Sequence, residues 1–204
     1  MQNIKNIIFD LGGVFMNIDF AKTNEAFAAA GLTNFKEHFT QHHATPMFEL
    51  LETGKISPEE FYDSFRKEVY EPITNEQIRD AWNALLLDFP KDRIVWLDEI
   101  RTKYNVYLYS NTNKIHYDAF IVSFTEQTGF PDFNHYFKKA YYSHELGLRK
   151  PYPESFTHIL TEENLLAEET VFIDDTFSNI EGAQKAGLQT IHLVHPKTVL
   201  DLGL

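Results

Sequence analysis

Short apolar runs recur along the chain, separated by longer segments in which apolar residues return every three or four positions. The runs lie at 7–9, 105–109, 139–142, 170–173 and 189–194. Their length and their content of β-branched and aromatic residues are typical of buried strands. Strands that alternate with helical segments predict an α/β fold with a Rossmann-like, doubly wound parallel sheet.

The helical segments carry sequence signals at their ends. Six helices are predicted, at 19–30, 57–69, 74–85, 91–103, 153–163 and 178–186. Asp19 is placed to cap the first, and capping boxes begin the second and third at Ser57 and Thr74. Gly31 and Gly187 follow the first and last, where a left-handed residue often ends a helix. The pattern at 115–129 is mixed and indicates helix only in part.

The stretch between the first two strands is unusually long. Residues 16–89 show helical patterns throughout, whereas a crossover between parallel strands needs only about a dozen residues. We therefore expect an inserted all-helical domain at 16–89 and an α/β core built from 1–15 and 90–204.

The composition excludes several classes of function. The net charge of −12 over 204 residues would repel a nucleic-acid backbone. The absence of cysteine removes disulfides, thiolate metal sites and a cysteine nucleophile. No apolar run reaches the roughly 18 residues of a membrane span, and the first strand follows Met1 too closely for a signal sequence. We expect a cytoplasmic monomer or homodimer, with neither nucleic acid nor a membrane as partner.

Four polar clusters fall next to predicted strands and helices. They are Asp10, 110–113, 149–151 and the pair Asp174-Asp175 with Asn179 nearby. The carboxyl ends of parallel strands share one edge of a sheet, so the first, second and fourth clusters should converge.

These residue types suit phosphoryl transfer. Asp10 can attack phosphorus, and Asp175 can hold a hard divalent cation. Ser110 and the backbone amide of Asn111 can donate to phosphoryl oxygens, and Lys150 supplies positive charge. Each residue could also have a purely structural role, since an aspartate can cap a turn and a lysine is usually solvated at the surface.

Four segments, taken together, resemble the haloacid dehalogenase-like (HAD) hydrolase superfamily. They are FDLGGV at 9–14, YSNTN at 109–113, GLRKP at 147–151 and FIDDTFSNIEGA at 172–183. They occur in the superfamily's order and span nearly the whole chain. The resemblance is to the subclass with a helical cap inserted after the first strand, and within it to bacterial sugar phosphatases that act on glucose 1-phosphate.

The resemblance implies a role for each matching residue. Asp10 would be the nucleophile and a ligand of Mg²⁺, with Asp175 and the backbone carbonyl of Gly12 as further ligands. Ser110, Asn111, Lys150 and the backbone of Gly12 would hold the phosphoryl group. Asp174 and Asn179 would act on the metal through water or through the ligands.

One position departs from the superfamily's pattern. Its phosphatases usually carry a second aspartate two residues after the nucleophile, as general acid and base, and here that position is Gly12. Loss of such a group typically costs about 10²–10⁴-fold in rate. Asn17, Asp19, His42 and His43 are candidates to replace it.

The expected function is a Mg²⁺-dependent phosphatase of a small phosphorylated metabolite, such as the sugar phosphate glucose 1-phosphate, acting through an aspartyl phosphate. Glu49 and Lys55 are candidates for contacts with a sugar. Two alternatives stay open. One is hydrolytic 2-haloacid dehalogenation, and the other is a module that binds a phosphometabolite or a protein without turnover because of Gly12.

Overall fold

The computed structural model describes residues 3–32, 39–40, 43–44, 46–69 and 72–204. The strands of this part of the chain are β1 (Asn6–Phe9), β2 (Phe39–Thr40), β3 (His43–Ala44), β4 (Asn105–Ser110), β5 (Lys139–Tyr142), β6 (Thr170–Asp174) and β7 (Gln189–His192). Its helices are α1 (Phe20–Ala29), α2 (Pro46–Glu52), α3 (Pro58–Val69), α4 (Asn75–Asn83), α5 (Lys91–Ile100), α6 (Lys114–Thr128), α7 (Ser143–Leu146), α8 (Pro153–Glu162) and α9 (Phe177–Lys185).

Five strands form one parallel sheet in the order β5-β4-β1-β6-β7. β1 is central, and its last residue, Phe9, lies opposite Leu108 on β4 and Ile173 on β6. The residues that follow these three positions therefore emerge together at the carboxyl edge of the sheet. The predicted Rossmann-like α/β fold is confirmed.

Both faces of the sheet are covered, as the alternation along β1 requires. Ile7 and Phe9 are fully buried in a cluster with residues of α5 and α6, including Leu97 and Phe124. Ile8 points to the other face, into a second cluster with residues of α8 and α9. This arrangement leaves the carboxyl edge of the sheet as the place where polar residues gather.

The insertion after β1 has its own apolar core. Phe27, Phe48, Phe61 and Trp82 are fully buried there, one from each of α1 to α4. Burial of one such aromatic side chain contributes about 1.5–3 kcal/mol. The predicted helical cap is thus present, together with a short antiparallel pair of β2 and β3 that the helical pattern did not predict. The boundaries 16–89 stay a prediction.

The two connections between core and cap run side by side as a two-stranded ribbon. Asn17 N donates to Asp88 O at 2.9 Å, Leu87 N donates to Asn17 O at 3.0 Å, and Asp19 N donates to Leu85 O at 3.0 Å. The chain therefore leaves and re-enters the core at one place. None of the helices in the described part of the chain is long and apolar enough to cross a bilayer.

The predicted helix starts agree with the structure. Asp19 caps α1, and reciprocal capping bonds begin α3 at Ser57 and α4 at Thr74. The mixed pattern at 115–129 was misleading, because α6 is a regular helix over Lys114–Thr128. Its apolar residues face both the core and the cap, so they do not form a single stripe. The last strand ends at His192, two residues earlier than predicted.

Candidate active site

Asp10 lies directly after the central strand and is buried. Its backbone N–H donates to Ile173 O at 2.9 Å, which extends the pairing with β6 by one residue. The side chain borders a cavity of about 590 Å³ between the sheet edge and the cap. Ser110, at the end of β4, and Asp175, just after β6, border the same cavity. The predicted convergence of these three residues is found.

Lys150 bridges two of the carboxylates. Its Nζ lies 2.7 Å from Asp10 Oδ1 and 2.7 Å from Asp174 Oδ2. The side chain is only 1% exposed, and the rings of Tyr109 and Phe172 lie 5.5 and 5.3 Å from Nζ. A lysine buried this deeply requires negative partners, so its role is not that of a solvated surface residue.

Asp174 is held on every side and does not border the cavity. Its carboxylate accepts from Thr176 N at 2.7 Å and from Asn179 Nδ2 at 3.0 and 3.2 Å, in addition to Lys150. The residue has no exposed surface. Asp174 and Asn179 therefore fix the position of the lysine and of the loop after β6.

The charged groups at this edge of the sheet shift one another's pKa values. Burial raises the pKa of Asp10 to about 7, with Asp174 and Asp175 acting in the same direction and Lys150 opposing them. Burial also raises the pKa of Asp175, aided by Asp174. Burial by itself would lower the pKa of Lys150, but attraction to Asp10 and Asp174 outweighs it and raises that pKa. The cluster carries more negative than positive charge, so a further cation would stabilise it.

Oxygen ligands for such a cation are close together. Asp10, Asp174 and Asp175 each offer a carboxylate oxygen, and these atoms lie within 4.8 Å of one another. Carboxylate oxygens are the ligands that Mg²⁺ prefers. Since Asp174 already accepts from three partners, Asp10 and Asp175, the two carboxylate ligands expected from the sequence, stay the candidates for holding a cation.

Gly13 makes room for Asp175. A Cβ at this position would lie 2.3 Å from Asp175 Oδ2, and the backbone of Gly13 has a φ of +73° that disfavours any other residue. The glycine next to the predicted ligand Gly12 is therefore needed for the position of a carboxylate in the loop that follows β6.

Gly13→Ala is expected to displace the Asp175 carboxyl group and to weaken dependence on Mg²⁺. The added methyl group forces the Asp175 side chain to turn away, so half-maximal activity should need at least about tenfold more Mg²⁺. Positive φ alone costs about 1–2 kcal/mol in an L-residue. Gly129→Ala is the matched control, since Gly129 has a φ of +76° and nothing within 4 Å of the added Cβ. Titrations of activity against Mg²⁺ that coincide for the two variants would contradict this prediction.

Ser110 and Asn111 both border the cavity, but their side chains differ in how they are hydrogen-bonded. Ser110 is buried, and among the residues that the structure describes its hydroxyl contacts Asn111 O alone, at 3.5 Å. The Asn111 side chain donates to Lys150 O and accepts from Lys150 N, both at 3.0 Å. Asn111 thus holds the backbone of Lys150, and only its backbone amide stays a candidate for the predicted phosphate contact.

The loop at 149–151 packs closely against α9. A Cβ on Gly182 would lie 1.9 Å from Pro151 O, so only glycine fits there. The peptide between Lys150 and Pro151 is cis.

The cap covers the cavity with an ion-pair cluster that no sequence pattern predicted. Arg149 pairs with Glu49 at 3.2 Å and with Glu52 at 3.0 Å, both on α2. Burial raises the pKa of Glu52, and Arg149 opposes that shift. Glu49, which the sequence analysis proposed for sugar contacts, borders the main cavity, whereas Lys55 borders an adjoining one.

A family model supports the resemblance directly. The model for haloacid dehalogenase-like hydrolases matches residues 4–187, which is most of the chain.

The chain belongs to the haloacid dehalogenase-like hydrolases.

Relatives of this HAD-like hydrolase include characterised and solved proteins. A D-ribitol-5-phosphate phosphatase of Bacteroides thetaiotaomicron is 34% identical over 191 residues, covering 92% of this chain and 90% of the relative. A HAD family enzyme of the same organism, solved with magnesium and inorganic phosphate, is 37% identical with a TM-score of 0.83, covering 92% and 93% of the two chains. A HAD-like family hydrolase from Porphyromonas gingivalis is 28% identical with a TM-score of 0.83, covering 93% and 90%. The finer resemblance to glucose 1-phosphate phosphatases stays a prediction.

In this HAD-like hydrolase, Gly12 lies beside a cap-side apolar residue. A Cβ at Gly12 would lie 3.0 Å from Ile18 Cδ1, so a carboxylate there would have to displace that side chain. Of the proposed replacements, Asn17 donates to Asp88 and Asp19 caps α1, and neither borders the cavity. His42 and the side chain of His43 lie outside the described residues.

Proposed function

We propose that this HAD-like hydrolase is a Mg²⁺-dependent phosphatase of a small, polyhydroxylated phosphate ester, working through an aspartyl phosphate on Asp10. The observation that carries the proposal is the contact of Lys150 with both Asp10 and Asp174 at the edge of the sheet. A fixed positive charge thus lies directly beside the buried candidate nucleophile, in a cavity that Asp175, a candidate ligand for a cation, also borders.

Asp10, Asp175 and the backbone carbonyl of Gly12 would hold the cation. When bound, Mg²⁺ would offset the charge of the phosphoryl group and favour the ionised form of Asp10. Magnesium is present in solved structures of a similar enzyme, which supports this proposal.

The chain's own residues would share the remaining work. Asp10 would attack phosphorus and break the bond to the ester oxygen, which would leave as an alcohol after taking a proton from water, because Gly12 supplies no acid. A second water molecule would then hydrolyse the aspartyl phosphate, releasing inorganic phosphate and restoring Asp10. Ser110, the amide of Asn111 and Lys150 would bind the phosphoryl oxygens and stabilise the charge of the transition state. Asp174 and Asn179 would keep Lys150 in position.

The cavity and one relative support the proposed substrate class. A volume of about 590 Å³ accommodates a five- or six-carbon phosphate ester. Polar groups from the cap and from the 149–152 loop, including Glu52 and Arg149, border it beside apolar ones. The similarity to a D-ribitol-5-phosphate phosphatase supports a sugar-alcohol phosphate as the first candidate. Glucose 1-phosphate, expected from the sequence, is the second.

The test is release of inorganic phosphate from a panel of esters, with Mg²⁺ and with EDTA. Ribitol 5-phosphate, glucose 1-phosphate and simple alkyl phosphates form the panel. We expect Mg²⁺-dependent release, fastest for ribitol 5-phosphate. Absence of release from every ester would reject the proposal. Halide release from a 2-haloacid in EDTA would favour a dehalogenase, and calorimetric binding of ribitol 5-phosphate without turnover would favour a binding module.

A further inference from the structure

His116 occupies a fixed place in the cavity wall. It lies in the first turn of α6, six residues after Ser110. Asn113 caps this helix, and its Oδ1 accepts from the backbone N–H groups of Ile115 and His116 at 3.1 Å each. Ser110 and His116 are therefore joined by one short, well-anchored segment. Both border the cavity that contains Asp10.

The cap determines which nitrogen of the His116 ring carries the proton. Nδ1 lies 2.9 Å from Asn83 Oδ1, at the end of α4. A carboxamide oxygen only accepts, so Nδ1 donates and the lone pair is left on Nε2. The ring also stacks on Trp82 of the cap, with centroids 4.7 Å apart and an interplanar angle of 23°. The cap thus holds both the orientation and the tautomer of the ring.

The second ring nitrogen of His116, Nε2, is an acceptor without a donor among the described residues. It also keeps some accessible surface, so a molecule in the cavity can reach it. Burial lowers the pKa of His116 to about 3, so the ring is neutral near pH 7. Because the ring borders the cavity and no described residue donates to Nε2, water or a bound molecule can act as its donor.

The surroundings favour a neutral donor over a charged one. The cavity is bordered by the apolar side chains of Leu85 and Phe120 and also by carboxylates, among them Glu52. A cation would be drawn to those carboxylates and away from the neutral imidazole, and an anion would be repelled by the Nε2 lone pair. A hydroxyl group donates one hydrogen bond and carries no charge, which fits both conditions.

We propose that His116 Nε2 accepts a hydrogen bond from a hydroxyl group on the alcohol part of the substrate, so that this hydrolase selects polyol phosphates over plain alkyl phosphates. The inference rests on the proposed function and names the residue that makes the selection. His116 is a specificity-determining residue here and carries no proton in the reaction, because a ring this weakly basic is a poor general base.

The first test compares two substrates of equal chain length in wild type and in His116→Phe. The substrates are ribitol 5-phosphate and 1-pentyl phosphate. Phenylalanine keeps a ring against Trp82 but leaves the substrate hydroxyl without its partner. We expect kcat/KM for ribitol 5-phosphate to fall about 10- to 100-fold, while that for 1-pentyl phosphate changes by less than about threefold. An equal fall for both substrates would show a structural role and overturn the inference.

The second test does not depend on the folding of His116→Phe. Asn83→Ala frees Nδ1, so the ring is no longer held in one tautomer, and kcat/KM is expected to fall about 3- to 10-fold for ribitol 5-phosphate alone.

The third test does not depend on turnover. In ¹⁵N NMR of the unreactive Asp10→Asn variant, ribitol 5-phosphate should shift His116 Nε2, and 1-pentyl phosphate should not. A proton found on Nε2, or no shift, would overturn the inference. If the wild type hydrolyses no ester while the NMR shift occurs, the proposed function fails and the binding site stands.

Discussion

Asp10→Asn is expected to reduce phosphate release by about 10⁴-fold or more, which would place it at the detection limit of most assays. Asparagine has nearly the same shape as aspartate, but its carboxamide cannot attack phosphorus to form an acyl phosphate. The folded structure should persist, because the amide oxygen can still accept from Lys150 Nζ. Release of phosphate from ribitol 5-phosphate at saturating Mg²⁺, together with the melting temperature, measures both effects.

A matched replacement separates chemistry from charge. Asp98→Asn removes one carboxylate from the surface of α5, where Asp98 pairs with Arg101. We expect this variant to retain wild-type activity. If Asp10→Asn hydrolyses the ester at a rate similar to that of Asp98→Asn, then Asp10 is not the nucleophile.

Lys150→Met is expected to have the largest effect on stability. Methionine occupies a similar volume, but its uncharged side chain leaves Asp10 and Asp174 facing each other in a buried site. Removal of one member of a buried ion pair typically costs about 3–5 kcal/mol in the free energy of unfolding. Loss of the charge that binds the phosphoryl group should also reduce kcat by about 10²–10³-fold.

The pH and Mg²⁺ dependence of this variant follow from the same charges. Without Lys150, the pKa of Asp10 should rise further above its unfolded value of about 3.9. A carboxyl group whose pKa is raised on folding stabilises the protein while it is protonated, and this contribution is lost as pH rises. The destabilisation should therefore be greater at pH 8 than at pH 5.5, and Mg²⁺ should reverse part of it.

Urea unfolding in EDTA and in Mg²⁺, at both pH values, tests this prediction. Lys139→Met is the control, because Lys139 pairs with Glu162 at the surface and its loss should change stability little. A Lys150→Met protein as stable in EDTA as the wild type would show that the buried cluster does not depend on its lysine.

The sequence was sufficient for the sheet and for the residues at its edge. Each apolar run ends at a polar residue, and parallel pairing brings the ends of β1, β4 and β6 together whatever the helices do. The sequence alone therefore predicts that Asp10, Ser110 and Asp174 lie near one another. Lys150 could be suspected from its loop, but its contact with two carboxylates depends on the packing of that loop against α9.

The contribution of the cap could not be predicted in the same way. Arg149 meets Glu52, and His116 meets Asn83, only because the cap docks on the core in one orientation. That orientation results from packing between residues far apart in the sequence, and no local pattern encodes it. The side chain of Asn111 shows the same limit, since its two bonds to Lys150 join loops 39 residues apart. One sequence signal for His116 was available. It lies in the first turn of a helix that Asn113 caps and that begins just after a strand ends, and such a position is close to the carboxyl edge of the sheet.

The ribbon of Asn17 against Leu87 and Asp88 has a consequence for how such a protein can change over time. The chain enters and leaves the cap through adjacent, hydrogen-bonded segments. The strands of the core can therefore pair in the same order whatever the size of the cap between those segments. The cap behaves as an exchangeable module, free to be lengthened, shortened or replaced while the ribbon persists. Substrate choice can thus diversify by swapping one surface, and the phosphoryl-transfer chemistry at the sheet edge is inherited intact.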